Sequence, residues 1–485
     1  MFLLTKWKLN CKNEYELQQI VNQENDDILT INDLLFADNK YYLDNLDRFS
    51  IYLLNFLLCK GFKNVSDLDD LKENTFFTIL HNGECNAFYI QTTHKITFYN
   101  FKKKFGINFK DYKTNKLLLD YAEENHRNFA SLGADAYNEF IHTLFRPKKD
   151  PNANKKLMRD DFPILKDKML EKAKKFCAGY QFYKKGDYNN VYNYDQASAF
   201  PSQLLNRTPT GSPKKDIKSL EQIPTNYWYC VDIIYFNLKL KFGHDWLKID
   251  GLPSHGHLYL TKELHELFLE TYTADYKIVD ILAFKTVRNR FNKFVEKNVI
   301  KGKLNCKNPN IAKYNKYIAN SLIGYCGRNL SVKINQFKLK NKKCIVKSKT
   351  KQIDPLYLPL YLYVNGKQKA EFIKTLNRID GIIYANTDGF IVTQPQNLNK
   401  LNSRITGELG AFKYKCEYEI LHIETINGYA GITTFGEVDN TIAGMRLEHI
   451  ISPEQYAQQD FTYYIEYTTP ELKVKRVDIK TKGQA

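Results

Sequence analysis

The chain of 485 residues has no apolar run approaching the roughly 20 residues that a membrane-spanning helix needs. Its apolar start, residues 1–4, is too short for a secretion signal. The nine cysteines are scattered, odd in number and never spaced Cys-x-x-Cys. This pattern argues against a disulfide framework and against structural zinc. We therefore expect a protein of the reducing cytoplasm that has no membrane partner.

Acidic residues are also in deficit, since 54 Asp and Glu stand against 71 Lys and Arg and leave a net charge of +17. Such an excess favours a polyanionic partner, and without a membrane segment the better candidate is nucleic acid. Hydrophobic residues make up 43% of the chain and aromatic residues 14%, which predicts a globular protein. The length allows roughly three domains.

Two carboxylates follow strand-like runs. Residues 382–392 form two β-branched and aromatic runs around a polar tip, which predicts a hairpin with Asp388 at its turn. A similar run ends at Asp195, where Ser198 and Pro201 are placed to start a helix. A rigidly held carboxylate suits a divalent metal, and a helix start suits the phosphates of a nucleotide. Taken alone, each pattern is more often an ordinary surface turn or loop.

A third stretch, residues 313–324, lies between these two. Apolar residues recur there at helical spacing, while Lys313, Lys316 and Asn320 fall on another face. Ammonium groups on one helix face can bind phosphate, although basic helix faces are usually just solvated. This stretch therefore predicts a helix and leaves its function open.

Together and in this order, the three stretches resemble the polymerase motifs of family B DNA polymerases. The first is an Asp-x-x-Ser-x-(Tyr/Phe)-Pro-Ser strand end, the second a Lys-x-x-x-Asn-Ser-x-x-Gly helix, and the third a Tyr-x-x-Thr-Asp hairpin. Within that family the chain resembles most the protein-primed polymerases of small tailed bacteriophages and linear plasmids. The resemblance covers about residues 40–485, strongly in the three motifs and loosely elsewhere.

The resemblance implies an α+β multidomain fold, a right-hand palm–fingers–thumb polymerase with a shortened N-terminal ribonuclease-H-like exonuclease domain. It implies a DNA-directed DNA polymerase that works in phage or plasmid replication by a two-metal mechanism, with two Mg²⁺ or Mn²⁺ ions as cofactors. The implied partners are the DNA template and primer, the dNTPs and a terminal (priming) protein. The implied location is the cytoplasm of the bacterial host.

The resemblance also assigns roles to single residues. Asp195 and Asp388 are the implied catalytic residues and metal ligands. The implied nucleotide contacts are Lys316, Asn320, Phe200, Ser198, Gln196 and Lys313. The implied DNA contacts are Phe176, Gly179, Tyr429, Lys303 and Thr387. Phe200 stands where the family crowds the sugar 2′-carbon, so deoxynucleotides should be preferred. The 176–179 stretch is similar to a Tyr-x-Gly-(Gly/Ala) element, whose small residues would let a DNA backbone approach closely.

Three positions of the polymerase region depart from the family. Asn386 stands where most members have a first Asp in the hairpin, and Ile323 replaces the usual Tyr of the helix motif. Asn427 replaces the Lys of a Lys-x-Tyr element whose Tyr is kept as Tyr429. We expect altered metal use and relaxed nucleotide selection. The alternative is a catalytically impaired, polymerase-like DNA-binding protein, whereas a reverse transcriptase would show two adjacent Asp and an RNA-binding scaffold would not explain ordered motifs.

The N-terminal segment departs further. Residues 45–52 look like the second exonuclease segment of the family, but Phe49 replaces its Asp, and Asn125 replaces the Asp of the third segment. The first segment, an Asp-x-Glu on a strand, has no counterpart, so the chain is expected to begin after it. Without these carboxylates the nuclease metals lose their ligands. We predict a domain without proofreading activity.

The expected segments follow from this reading. They are a degenerate 3′–5′ exonuclease-like domain at 1–145, a basic connector at 146–190, palm segments at 191–244 and 356–410, an insertion at 245–288, fingers at 289–329, a basic hairpin insertion at 330–355 and a thumb at 411–485. The hairpin arm either wraps the template or is a lysine-protected exposed hairpin. Local patterns predict a palm strand at 228–235 and helices at 261–272, 286–303 and 453–459.

Overall fold

The computed structural model describes residues 1–36, 38–81, 84–129, 131–144, 160–214, 217–247, 252–329, 331–352, 356–402, 408–447 and 449–481. Residues 146–159 of the predicted connector lie outside the described residues, as do residues 248–251 of the predicted insertion. Within the described ranges, none of the helices combines the length and apolar character that crossing a membrane requires.

An eight-stranded sheet with helices packed on it forms the N-terminal domain. Its strands are β1 Phe2–Leu9, β2 Tyr15–Asn22, β3 Ile28–Leu29, β4 Asn39–Leu43, β5 Lys63–Asn64, β6 Thr75–His81, β7 Glu84–Gln91 and β8 Lys95–Asn100. In space they are ordered β3-β2-β1-β4-β8-β7-β6-β5, with β4 parallel to both β1 and β8. The helices of this segment are Ile31–Leu34, Leu46–Cys59, Phe101–Phe105, Tyr112–Glu124 and Leu132–Leu144.

The remaining chain alternates longer strands and helices. Its strands are β9 Gln181–Tyr183, β10 Gly186–Gln196, β11 Thr208–Lys214, β12 Tyr227–Leu240, β13 Gly256–Thr261, β14 Tyr272–Val287, β15 Ser331–Lys340, β16 Lys343–Gln352, β17 Ile382–Asn386, β18 Gly389–Val392, β19 Phe412–Thr425, β20 Gly428–Thr433, β21 Val438–Ile442, β22 Arg446–Leu447, β23 Thr462–Thr468 and β24 Val474–Lys480. Its helices are Lys168–Ala173, Ala199–Gln203, Lys262–Thr271, Asn292–Val295, Pro309–Cys326, Leu358–Leu376, Leu398–Leu401 and Pro453–Ala457, with a 3₁₀ turn at Leu220–Gln222 and a π-helix at Glu296–Leu304.

The exonuclease-like positions carry packing residues. Phe49 is fully buried, with its ring centroid 5.5 Å from that of Phe98. Asn125 ends the helix Tyr112–Glu124, and its Nδ2 donates to the Tyr121 carbonyl at 2.8 Å. Strand β1 lies in the middle of the sheet ahead of the Asn45 segment, and it contains no Asp or Glu.

A seven-stranded sheet, ordered β21-β20-β19-β10-β18-β17-β9, holds both motif carboxylates. The predicted hairpin at 382–392 is confirmed as β17 and β18. Strand β10 is central and pairs antiparallel with β18 on one side and β19 on the other. Strands β19, β20 and β21 belong to the predicted thumb segment, so this sheet spans the predicted boundary between palm and thumb at residue 410.

A second sheet has the strand order β11-β14-β12-β13. The predicted strand at 228–235 is confirmed within β12, but it lies in this sheet and not in the sheet of the carboxylates. The predicted helix at 261–272 is confirmed as Lys262–Thr271. The predicted helix at 286–303 is wrong in its first part, because Thr286 pairs with Pro209 and helical residues begin at Asn292. The β-branched pair Thr286 and Val287 favours the strand.

The basic arm is a two-stranded hairpin, β15 with β16, and it docks on the N-terminal domain. Phe337 is buried in the core of that domain, and its N–H donates to Asn64 Oδ1 at 3.0 Å. Leu472, from the turn between β23 and β24, is buried in the same core. The N-terminal domain therefore joins the arm to the C-terminal sheet β22-β23-β24. The predicted helix at 453–459 is confirmed as Pro453–Ala457.

His265 makes the stability of the fold depend on pH. Its side chain is buried in the helix Lys262–Thr271, with Nδ1 3.3 Å from the Tyr229 hydroxyl and Nε2 without a partner among the described residues. Burial lowers the pKa of His265 to about 4, against about 6.5 in an unfolded chain. The unfolded state therefore binds the proton first as pH falls. We expect the free energy of unfolding to drop by about 2 kcal/mol between pH 7.5 and pH 5 through this group.

Urea-induced unfolding at the two pH values would measure this loss. His265→Gln should remove this contribution of about 2 kcal/mol to the pH dependence, whereas His255→Gln, at an exposed histidine, should leave the pH dependence unchanged. An equal pH dependence in the wild type and His265→Gln would contradict the prediction.

Candidate active site

Asp195 and Asp388 meet at one end of the seven-stranded sheet. Asp195 lies near the end of β10, opposite Gly389 of β18, and Asp388 lies in the tight turn between β17 and β18. The N–H of Gln196 donates to the Asp388 carbonyl at 2.8 Å and ties the strand end to the turn. Both carboxylates line one cavity of about 240 Å³. The sequence order alone would not bring them together, but the antiparallel pairing of β10 with β18 does.

The turn that carries Asp388 is held from two sides. Thr387 has a φ of 61°, in the left-handed region that β-branched residues rarely adopt. Its N–H donates to the Tyr180 carbonyl at 2.8 Å, and its own carbonyl accepts from Gln368 Nε2 at 2.9 Å. Strain of this kind persists where the surroundings over-determine the backbone, which is typical of functional sites. The carboxylate of Asp388 is therefore attached to a rigid support.

Gly179 packs directly against this turn. A Cβ on Gly179 would lie 2.5 Å from Thr387 Oγ1, closer than real contacts allow. This gives the glycine a packing reason within the protein, whereas the sequence suggested close approach of a DNA backbone. Phe176 is half-buried and its carbonyl accepts from Lys369 Nζ at 3.1 Å, and Tyr429 is buried. DNA contact by these residues and by Thr387 stays a prediction.

Gly179→Ala should displace Thr387 and thereby misplace Asp388. We expect nucleotide incorporation to fall about tenfold or more, because small displacements of catalytic groups have large effects on rate. Thr387→Gly in the same chain should restore part of the activity, since it removes the clash and suits the positive φ. Single-turnover incorporation by the three proteins would measure this, and failure of the second substitution to rescue would contradict it.

The surroundings of the Asp388 carboxylate favour a bound cation. The pKa of Asp388 is raised to about 6, first by burial and then by the negative charge of Asp195, while Lys316 and Lys303 act in the opposite direction. A divalent cation held by these residues would offset the negative charge, and carboxylate oxygens are ligands that Mg²⁺ prefers. Asp195 and Asp388 thus fit a metal. The described residues contain no group of three or more His, Cys, Asp or Glu placed around an ion, so water and phosphate oxygens would complete the coordination.

Three lysines face the carboxylates in the cavity, Lys303, Lys316 and Lys413. Lys303 Nζ donates to Ser198 Oγ at 2.6 Å, and its pKa is lowered by burial and then by the two neighbouring lysines. Lys413 Nζ lies 3.7 Å from Asp195 Oδ2. Sequence reasoning missed Lys413, because it belongs to none of the three motifs. Such a concentration of positive charge suits a polyphosphate.

Most of the other predicted nucleotide contacts line the same cavity. Phe200 and Asn320 line the cavity, and Ser198 does so with a left-handed φ of 52° at the start of the helix Ala199–Gln203. Gln196 lines it too, but its Nε2 donates to the Gly410 carbonyl at 2.7 Å. Lys313 is exposed and is not among the described residues of the cavity wall. The structure thus brings all but Lys313 of the predicted nucleotide contacts together.

The positions that depart from the family have structural uses. Asn386 accepts from Thr387 Oγ1 at 3.0 Å, and its Nδ2 donates to the Tyr384 hydroxyl at 3.3 Å. Asn427 lies beside it, with 3.5 Å between Asn386 Nδ2 and Asn427 Oδ1. Ile323 is buried in the core. The neutral Asn386 therefore orders the turn and leaves one negative charge fewer near the site.

Proteins similar to this chain include a DNA polymerase of a bacteriophage. No protein-family model matches the chain. A protein described as DNA polymerase, from Streptococcus phage Cp-1, is 27% identical over 298 residues, which cover 55% of this chain and 50% of that protein. The match thus spans half the length of that relative.

Solved structures of Phi29 DNA polymerase have the same fold over the whole chain. The complex with single-stranded DNA has a TM-score of 0.78 at 16% identity and covers 99% of both chains. The complex with primer-template DNA and incoming nucleotides also has a TM-score of 0.78, at 17% identity, and covers 100% of this chain and 99% of that one. The chain therefore has the fold of Phi29 DNA polymerase. The predicted α+β multidomain polymerase fold is therefore confirmed, and the similarity to a phage DNA polymerase agrees with the resemblance of the three motifs.

Proposed function

We propose that this protein is a DNA-directed DNA polymerase that extends a primer on a DNA template during phage or plasmid replication. The observation that carries the proposal is the meeting of Asp195 and Asp388 with Lys303 and Lys316 in one cavity. The fold supports it, because the Phi29 polymerase that shares this fold has been solved with primer-template DNA and incoming nucleotides. The work would take place in the cytoplasm of the bacterial host.

Each group of the cavity has a part in this reaction. Asp195 and Asp388 would hold two Mg²⁺ or Mn²⁺ ions, which when bound activate the primer hydroxyl and neutralise the triphosphate. Lys316 and Lys303 face the same space and would bind phosphate oxygens, with Ser198 Oγ fixing the position of Lys303 through its 2.6 Å hydrogen bond.

The remaining predicted contacts complete the proposal. Phe200 and Asn320 would shape the nucleotide pocket, and the Gln196 backbone would hold the Asp388 turn in place. Lys313 would meet the triphosphate from the exposed face of the helix Pro309–Cys326. Phe176, Gly179, Thr387, Tyr429 and Lys303 are the proposed DNA contacts.

We also infer that the protein does not proofread and that a terminal protein supplies its primer. The first inference is supported by the buried Phe49 and by strand β1, which has no carboxylate. The N-terminal domain would instead support the basic arm, through Phe337, and the C-terminal sheet, through Leu472. The second inference is supported by the resemblance of the three sequence motifs to those of protein-primed family B polymerases.

Templated dNTP incorporation on a primed DNA strand tests the proposal. The assay would be run with Mg²⁺ and with Mn²⁺, and a label at the primer 3′ end would report degradation. Extension with an undegraded 3′ end is the expected result. Tight DNA binding without extension in either metal would favour an impaired DNA-binding relative, and loss of the 3′ end would contradict the absence of proofreading. Extension from a deoxynucleotide attached to a phage protein would test protein priming.

A further inference from the structure

Lys413 stands directly opposite Asp195 in the pairing of β10 with β19. Residues that face each other across an antiparallel pair have their side chains on the same face of the sheet. The ammonium consequently reaches the carboxylate, with 3.7 Å between Lys413 Nζ and Asp195 Oδ2. About half of the lysine side chain is exposed (54%), so it has room to move away from the carboxylate.

A β-bulge sets the register that places Lys413 opposite Asp195. The register shifts between Asn193 and Tyr194 of β10, where β19 contains one extra residue, Lys415. Without the shift, Tyr414 and not Lys413 would face Asp195. Bulges often re-aim a side chain beside a functional site. Nζ of the extra residue Lys415 lies 3.8 Å from Asp439 Oδ2, so this ammonium group pairs with a different carboxylate.

The charges of the cavity make this pair significant. Its wall contains the carboxylates of Asp195 and Asp388 and the ammonium groups of Lys303, Lys316 and Lys413, so positive charge exceeds negative charge by one. The neighbouring Asn386 adds no charge. Such a site attracts an anion and opposes a free divalent cation.

We propose that Lys413 is a resident counter-ion of Asp195 that a divalent cation must displace, so that Lys413 weakens the binding of free metal and favours its entry together with a triphosphate. This rests on the proposed function in taking Asp195 as a metal ligand. When the cation takes Asp195, the released ammonium lies beside the space where the triphosphate would bring negative charge. Lys413 thus acts as a positioning residue that couples metal binding to nucleotide binding.

Binding of Mn²⁺ to the purified protein, followed by electron paramagnetic resonance without DNA, tests this directly. Lys413→Met should bind Mn²⁺ about threefold to fivefold more tightly than the wild type, the change that a partly exposed ion pair is worth. With a non-hydrolysable dNTP analogue present, the difference should shrink, because the triphosphate then competes for the lysine. Lys374→Met is the matched control, since Lys374 is also a partly exposed lysine, 2.8 Å from Glu270 and outside the cavity.

The outcomes separate this inference from the proposed function. Equal Mn²⁺ affinity in Lys413→Met and the wild type would overturn the inference, even if the protein extends primers. Weaker Mn²⁺ binding in the variant would also overturn it, since Lys413 would then support the metal. Tighter Mn²⁺ binding in the variant would support the inference even if no primer is extended. In a chain that also carries Asp195→Asn, the substitution Lys413→Met should no longer change the affinity for Mn²⁺. Thermal unfolding of each variant would exclude misfolding as the cause.

Discussion

Replacing Asp388 with Asn should lower the kcat/KM for nucleotide incorporation by about 10³-fold or more and at the same time stabilise the protein. The amide keeps the size of the side chain but removes a negative charge from the metal site. The backbone hydrogen bond from Gln196 to residue 388 is unaffected, so the turn should persist. Incorporation would be measured with Mg²⁺ and with Mn²⁺ at saturating DNA.

The gain in stability follows from the pKa of Asp388, which is raised to about 6 by burial and by Asp195. A carboxyl whose pKa is higher in the folded protein than in the unfolded chain destabilises the fold at neutral pH, where it is ionised. The effect is present at pH 7 and disappears as pH falls below the unfolded pKa. Asp388→Asn should therefore raise the free energy of unfolding at pH 7 by about 1–2 kcal/mol. Gain of stability with loss of activity is the usual signature of a functional residue.

Asp187→Asn is the matched control for this substitution. Asp187 lies on the same strand as Asp195, near the opposite end of β10, where it pairs with His422 Nδ1 at 2.8 Å. Its carboxylate is 77% exposed, so its charge is solvated without a metal. Incorporation by this control should equal that of the wild type. Normal incorporation by Asp388→Asn would remove Asp388 from the proposed chemistry.

Replacing Phe200 with Ala should reduce the preference for deoxynucleotides over ribonucleotides by about 10²-fold. The ring lines the cavity wall together with Asn320 and Asp195 and is partly buried against the core. A bulky ring at this point would clash with a 2′-hydroxyl, and Ala would leave room for it. The ratio of kcat/KM for dATP to that for ATP, on the same primed template, would measure the change.

Phe200→Tyr is the control, because it keeps the ring at the cavity wall. It should keep the deoxynucleotide preference within a few-fold, whereas Phe200→Ala should lose it mainly by gaining activity with ATP. Loss of activity with both nucleotides in equal measure would instead indicate a packing role for Phe200. An unchanged ratio in Phe200→Ala would contradict the assignment of this ring to the sugar.

The sequence by itself determined the elements whose cause is local. The hairpin around Asp388, the helix Pro309–Cys326 with Lys316 and Asn320, and the strand ending at Asp195 were all predictable. Each depends on a pattern of neighbouring residues, with period two for strands and 3.6 for helices. The order of these three patterns was specific enough to indicate the polymerase fold, although few residues outside them match closely.

The tertiary structure alone decided which distant residues share the site. The bulge in β19 brings Lys413 to Asp195, and the packing of Gly179 against Thr387 gives this glycine a structural role that the sequence did not indicate. Thr286 was predicted to be helical, but it lies in strand β14 because it pairs with Pro209 of β11. Strand register and the approach of distant segments depend on side chains far apart in the chain, and no local pattern encodes them. The sequence motifs therefore predicted the carboxylates and Lys316 of this cavity, but the pairing of β10 with β19 added Lys413 and so determined the net charge of the cavity wall.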